Sequence, residues 1–130
     1  MKTKNFLISG IVASIVDFLL GWLFYGIIFK DTFPQPEESA NTMLFIFLGC
    51  LSFSLFVAYI FTKWAQITTA ATGAKAGIII GIFIGLFSNF FRLAMDTTFS
   101  YKLFAIDVAI SIVMTMIIGA VIGVINGKLD

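Results

Sequence analysis

The 130-residue sequence contains no histidine, one cysteine and two prolines, and only 12% of its residues are charged. Without histidine, the chain lacks the commonest general base at neutral pH and the commonest metal ligand. A lone cysteine forms neither an internal disulfide nor, by itself, a thiolate metal site. Soluble domains carry about 25% charged residues, so the scarcity of charge predicts a lipid environment. The net charge of +1 provides no basic surface for nucleic acid.

Long apolar stretches make up most of the sequence. Each has the roughly 20 residues that an α-helix needs to cross a bilayer, and barrel strands of about 10 alternating residues do not fit them. Because the connections are short, consecutive helices are expected to be antiparallel neighbours. The sequence therefore predicts an all-α, polytopic membrane protein, a single transmembrane domain over residues 1–130 with four transmembrane helices in an antiparallel bundle. The predicted spans are residues 6–29, 42–64, 73–95 and 102–126.

The distribution of positive charge predicts the orientation, because cytoplasmic loops are enriched in lysine and arginine. Five lysines fall on the side that holds both termini, and three basic residues fall on the other. This bias favours a multi-pass protein with both termini in the cytoplasm. The first group is Lys2, Lys4, Lys63, Lys75 and Lys128; the second is Lys30, Arg92 and Lys102.

Glycine recurs at every fourth position in the third and fourth spans. Residues four apart share a helix face, and small residues let membrane helices approach closely. We interpret these faces as helix-packing surfaces, with a pore-lining or dimer face as the alternative. Since the first span also carries small residues at this spacing, a homo-oligomer is expected. The packing glycines are Gly73, Gly77, Gly81 and Gly85 in the third span, and Gly119, Gly123 and Gly127 in the fourth.

Three ionisable residues of the predicted spans matter most: Asp17, Arg92 and Asp107. The lysines of these spans lie near helix ends, where their side chains can reach the membrane surface. Charges at this depth are costly, and they either lock helices together or mark proton and ion paths. Arg92 and Asp107 lie at similar distances from the third turn, which predicts that they pair, and Asn89 lies one turn from Arg92. Asp17 has two alternatives. Near the outer surface it would pair with Arg92, and deeper in the membrane it would hold a proton.

No motif in the sequence indicates a reaction. Phosphate-binding loops, zinc-protease motifs and nucleophile elbows are absent. The signatures of intramembrane aspartyl proteases, Tyr-Asp and Gly-x-Gly-Asp, are also absent, because Val16 precedes Asp17 and Ile106 precedes Asp107. We therefore expect no enzymatic activity, no cofactor and no metal ion.

The end of the first span, from Gly21 to Lys30, reads GWLFYGIIFK. It resembles a bacterial four-helix integral membrane family of unknown function, whose first helix ends in a similar Gly-x-x-x-Tyr pattern. The early position of Asp107 in the last span, and the glycine-rich end of that span, fit the same layout. The resemblance implies a protein of the bacterial inner membrane, and it implies no activity.

The layout is also similar to that of small multidrug-resistance transporters, which have about this length, four helices and one acid in the first helix. Those proteins use a glutamate, and Asp17 would stand in its place. The chain departs from their pattern in its additional Arg92 and Asp107, and in the 12 residues that connect the first two spans, Lys30 to Asn41.

Two functions follow from these observations. The sequence favours a non-enzymatic scaffold or accessory component, held together by its glycine faces and a buried charge network. The alternative is a small proton-coupled transporter or channel that uses Asp17. The expected partners are membrane lipid and further copies of the chain, and the sequence identifies no nucleic acid and no particular small-molecule or ion substrate.

Overall fold

A computed structural model describes residues 3–28, 40–95 and 100–129. This part of the chain is helical, and each of its four long helices is long and apolar enough to cross a membrane. The predicted all-α fold with four membrane-spanning helices is therefore confirmed. The helices are α1 (Thr3–Leu23), α2 (Ala40–Tyr59), α3 (Ala70–Met95) and α4 (Tyr101–Leu129), and π-helical turns follow α1 (Phe24–Ile28) and α2 (Ile60–Trp64).

The second connection is shorter than the sequence suggested, because α3 begins at Ala70, three residues before the predicted start. Thr69 caps this end of the helix. The backbone N–H of Thr72 donates a hydrogen bond to the Thr69 hydroxyl oxygen at 3.2 Å, and threonine is a favoured N-cap residue. The first and third predicted connections lie mostly outside the described residues.

The helices pack in the order α2, α1, α4, α3, so that α1 and α4 form the centre and α2 and α3 the two edges. On α3 and α4 the contacts run in opposite directions, since Gly73 lies on Gly119 and Gly81 lies on Ile112. The antiparallel arrangement of the whole bundle stays a prediction, because the first and third connections lie largely outside the described residues.

The core lies where α1, α2 and α4 meet. Phe61 is its largest fully buried side chain, and the isoleucines of α4 pack around it. The outward surfaces of the helices are apolar; Phe83 on α3, for example, is 68% exposed. Such a surface fits a chain whose outer faces contact lipid. The core residues are Ala13, Val57, Ala58, Phe61, Ile67, Ile118 and Ile122.

The turn after α2 contains a strained residue. Gln66 has a φ angle of 50°, and the left-handed conformation costs a non-glycine residue about 1–2 kcal/mol. Two backbone bonds hold the turn: Ala65 N–H donates to the Ile60 oxygen at 2.8 Å, and Ile67 N–H donates to the Phe61 oxygen at 2.7 Å. The conformation is therefore set by the end of the π-helical turn.

We expect Gln66→Gly to raise the free energy of unfolding by about 0.5–1 kcal/mol, because glycine adopts a positive φ without steric cost. Denaturant unfolding in mild detergent would measure the change. Ala65→Gly is the matched control, since Ala65 has a φ of −91° and glycine should lower stability there by about 0.5–1 kcal/mol. If both substitutions destabilise equally, Gln66 is not strained.

Candidate functional site

Beyond Lys4, α1 buries its polar residues and exposes most of its large apolar ones. The six buried residues of Thr3–Leu23 include no large apolar side chain, whereas leucine, isoleucine and tryptophan side chains of the same helix are exposed. Polar faces of this kind turn towards neighbouring helices in lipid. The buried residues are Asn5, Ser9, Gly10, Ala13, Ser14 and Asp17; we call them the polar face of α1.

Asp17 ends this polar face. It is 8% exposed, and its side chain forms a hydrogen bond with Cys50 of α2. A thiol is a weak donor, so the carboxyl of Asp17 accepts the bond. Arg92, which the sequence offered as one partner of Asp17, lies on α3, and α1 packs mainly against α2 and α4. The described contact of Asp17 is therefore with a neutral group of a neighbouring helix.

Two buried serines lie one helical turn from the Asp17–Cys50 pair. Ser14 of α1 donates from its hydroxyl to the Ile11 carbonyl oxygen at 2.6 Å. Ser54 of α2 is fully buried, and its hydroxyl oxygen has no hydrogen-bond partner among the described residues. Buried polar groups are nearly always satisfied, so a buried hydroxyl without a protein partner marks a place suited to a water molecule.

The second predicted acid, Asp107, joins α4 to α3. The Asn89 side-chain amide donates to Asp107 Oδ2 at 2.7 Å and to the Gly85 carbonyl oxygen at 2.8 Å. Asn89 is 1% exposed, and its own oxygen has no partner among the described residues. Arg92, one turn further along α3, is exposed. The structure thus brings Asn89 and Asp107 together, and the Arg92–Asp107 pair stays a prediction.

The glycines of α3 lie against the backbone of α4. A Cβ at Gly77 would collide with the Thr115 carbonyl oxygen, and a Cβ at Gly81 would lie 2.7 Å from the Ile112 Cα. Gly85 has a looser fit, with the nearest atom 3.3 Å away. These contacts lie within one chain, so the face is occupied by α4.

The glycines of α4 meet more than one element. Gly119 packs on Gly73 of α3, whereas Gly123 and Gly127 lie against the backbone of Thr69 and Thr68 in the turn before α3. The regular spacing of glycine did not reveal this division. It arises because α3 begins only at Ala70, while α4 continues to Leu129.

Sequence reasoning missed a polar junction formed by α4 and the π-helical turn after α2. The Asn126 side-chain amide donates to Thr62 Oγ1 at 3.1 Å and to the Ile67 carbonyl oxygen at 3.3 Å. Asn126 and Thr62 are both fully buried. The signal available in the sequence was an asparagine inside the last apolar span, three residues after Gly123.

Potential metal ligands do not cluster in the described part of the chain. There, no group of three or more cysteine, aspartate or glutamate side chains is placed to hold an ion. Zinc sites in proteins use three or four protein ligands. The chemistry open to the Asp17–Cys50 pair by itself is therefore hydrogen bonding and proton exchange.

Comparison with known proteins gives one result that bears on this chain. Residues 8–123 match the family model described as "Protein of unknown function (DUF1761)". The matched region includes the Asp17–Cys50 pair and the Asn89–Asp107 pair. Nothing among the curated proteins, and nothing among the solved structures, matches the chain.

Proposed function

We propose that this chain, which belongs to the DUF1761 family of proteins of unknown function, is a non-enzymatic scaffold or accessory component of a bacterial inner membrane. A four-helix family of unknown function was expected from the sequence, and the match agrees at that level. The bacterial origin, the Gly-x-x-x-Tyr pattern and the likeness to multidrug-resistance transporters stay predictions. Four candidate membrane spans make the chain a multi-pass membrane protein, and the lysine bias supports termini in the cytoplasm.

The close contact between α3 and α4 carries this proposal. Backbone lies on backbone from Gly73 to Gly81, so these two helices form a rigid pair with no space between them for a solute. Helix pairs of this kind are stabilised by van der Waals packing and have little freedom to slide or rock. A rigid pair suits a protein that positions other components better than one that alternates between conformations.

Lipid and further copies of the chain are the partners that we propose. α2 and α3 lie at the edges of the packing order, and each makes extensive contact with one neighbouring helix only. Crosslinking in mild detergent would show whether these edges meet in a homo-oligomer. No small-molecule or ion substrate is part of this proposal.

Proton-coupled transport through Asp17 is the second candidate function. The observation that favours it is the burial of Asp17 inside the helix packing, in contact with Cys50. Buried carboxyl groups in membrane helices often mark proton paths. The two candidates differ in whether removal of this carboxyl changes a flux.

Proton flux into proteoliposomes separates the candidates. We expect wild type and Asp17→Asn to show the same flux as protein-free liposomes under an imposed membrane potential, with a pH-sensitive dye as the readout. Asparagine keeps the size of the side chain and its capacity to accept a bond from Cys50, so stability should change by less than about 1 kcal/mol. A wild-type flux that disappears in a folded Asp17→Asn protein would replace the scaffold proposal with the transporter.

A further inference from the structure

The polar face of α1 extends from near the start of the helix to beyond its middle. It runs from Asn5 to Asp17, and the rise between these two residues is about 18 Å at 1.5 Å per residue. The hydrocarbon core is about 30 Å thick, so this face crosses roughly half of it. Ser54 of α2 adds a buried hydroxyl without a partner among the described residues, one turn from Cys50.

Polar groups also collect where this face begins. Asn5 is fully buried near the start of α1, and the buried pair Asn126–Thr62 joins α4 to the π-helical turn after α2. Phe6 lies edge-on to Tyr59 with ring centroids 5.5 Å apart, which brings the start of α1 to the end of α2. The oxygen of the Asn126 side chain has no hydrogen-bond partner among the described residues. Polar atoms are thus present at the Asn5 end of the polar face of α1 and along its length.

Beyond Asp17, the surroundings change. The π-helical turn after α1 and the facing part of α4 border a shallow cavity in which every lining side chain is apolar. Gly21, one turn after Asp17, has only the end of the Met114 side chain near the position of a Cβ. Water and protons are therefore disfavoured on this side. The lining residues are Phe24, Ile106, Ala109, Ile110 and Val113.

We propose that water and protons reach Asp17 from the Asn5 end of the helices, along the polar face of α1 and past Ser54, and that this route stops at Asp17. The route supplies the hydrogen-bond partner that Ser54 lacks in the described structure, because a water molecule between the helices satisfies a buried hydroxyl. It exchanges the Asp17 proton with one side of the membrane only. This one-sided access goes beyond the scaffold role and does not require a flux through the protein.

Cys50 is the only cysteine in the chain, and its contact with Asp17 makes it a natural reporter. Ag⁺ travels through water and replaces the thiol proton to give a silver thiolate and H⁺. Wild-type protein in sealed vesicles of known orientation would receive Ag⁺ from one side at a time, in chloride-free buffer. The cysteine that stays unreacted would then be counted with N-ethylmaleimide after denaturation. We expect rapid reaction from the Asn5 side, and reaction at least about tenfold slower from the other, because ions enter hydrocarbon only at high cost.

A double variant, Cys50→Ser with Gly49→Cys, provides the matched control. Gly49 is exposed, and no atom lies within 4 Å of the position of its Cβ, so the moved thiol should face lipid. It should react with lipid-soluble N-ethylmaleimide, and with Ag⁺ at least about tenfold more slowly than Cys50 does from the Asn5 side. Equal Ag⁺ rates for the two positions would contradict the route.

Narrowing the route tests its course. Ser54→Val and Ser9→Val replace buried hydroxyls with methyl groups, and each should slow the Ag⁺ reaction of Cys50 from the Asn5 side. Ile8→Val, on the exposed face of α1, should leave the rate unchanged. Unchanged rates in both serine variants, or reaction from neither side in wild type, would overturn the proposal. The proteoliposome flux is a separate measurement, so failure of the route leaves the scaffold proposal standing.

Discussion

Replacing Gly77 with alanine is expected to lower the free energy of unfolding by about 2–3 kcal/mol. The added Cβ would collide with the Thr115 carbonyl oxygen and lie 2.9 Å from the Met116 Cα. Both obstacles are backbone atoms, so no side-chain rotation relieves them and α3 must move away from α4. The loss should exceed the gain of about 1 kcal/mol that alanine brings to an exposed helix position. Denaturant unfolding in mild detergent would measure the difference.

Gly49→Ala is the matched control for this prediction. A Cβ at Gly49 would meet no atom within 4 Å, so only the helix propensity remains. We expect this substitution to be neutral or to stabilise the protein by up to about 1 kcal/mol. If both glycine variants change stability by the same amount and in the same direction, the contact between α3 and α4 is looser than described.

The four spans could be predicted because their signal is local. Length and apolar content alone indicate a helix that crosses lipid, and all four predicted spans correspond to helices. The residues at which the helices begin and end could not be predicted as well. α3 begins at Ala70, earlier than predicted, because the Thr69 hydroxyl caps the helix. The pattern of apolar residues gives no indication of the π-helical turns after α1 and α2. Spacing also placed glycines on one face of α3, since residues four apart always share a face.

The partners of the buried acids could be predicted only in part. Asn89 and Asp107 were placed in one group from their distances to a shared turn, and they meet at 2.7 Å. Cys50 was not linked to Asp17, because spacing within α1 does not indicate which face of α2 it meets. The face of α2 that α1 meets depends on the register between these two helices, and the long connection between them does not fix that register.

The structure divides the chain into two parts with different chemistry. α3 and α4 meet through glycine and backbone, which leaves little space between them. α1 meets its neighbours through serines, asparagine and aspartate, and Ser54 beside it lacks a partner among the described residues. Asp17 contacts α2 through Cys50, and α1 packs mainly against α2 and α4. We therefore expect a change at Asp17 to affect α2 before it affects α3.

Phe61→Ala should lower the free energy of unfolding by about 2–3 kcal/mol, since it leaves a cavity of roughly 100 Å³ where α1, α2 and α4 meet, at about 24 cal/mol per Å³. Phe61 is 1% exposed and is the largest fully buried side chain of the described residues. In lipid, the apolar transfer term is small, because tails are as apolar as the protein interior. The cost therefore comes from lost contacts, and it falls below that of the same change in a water-soluble core.

Phe83→Ala separates this effect from the general loss of an aromatic ring. Phe83 is 68% exposed, and lipid tails or detergent fill the space that its ring leaves. We expect the free energy of unfolding of the Phe83→Ala variant to stay within about 0.5 kcal/mol of the wild-type value. Thermal unfolding of both variants, in the same detergent and in bilayer discs, would make the comparison. Equal losses for Phe61 and Phe83 would mean that α1, α2 and α4 do not enclose a packed core around Phe61.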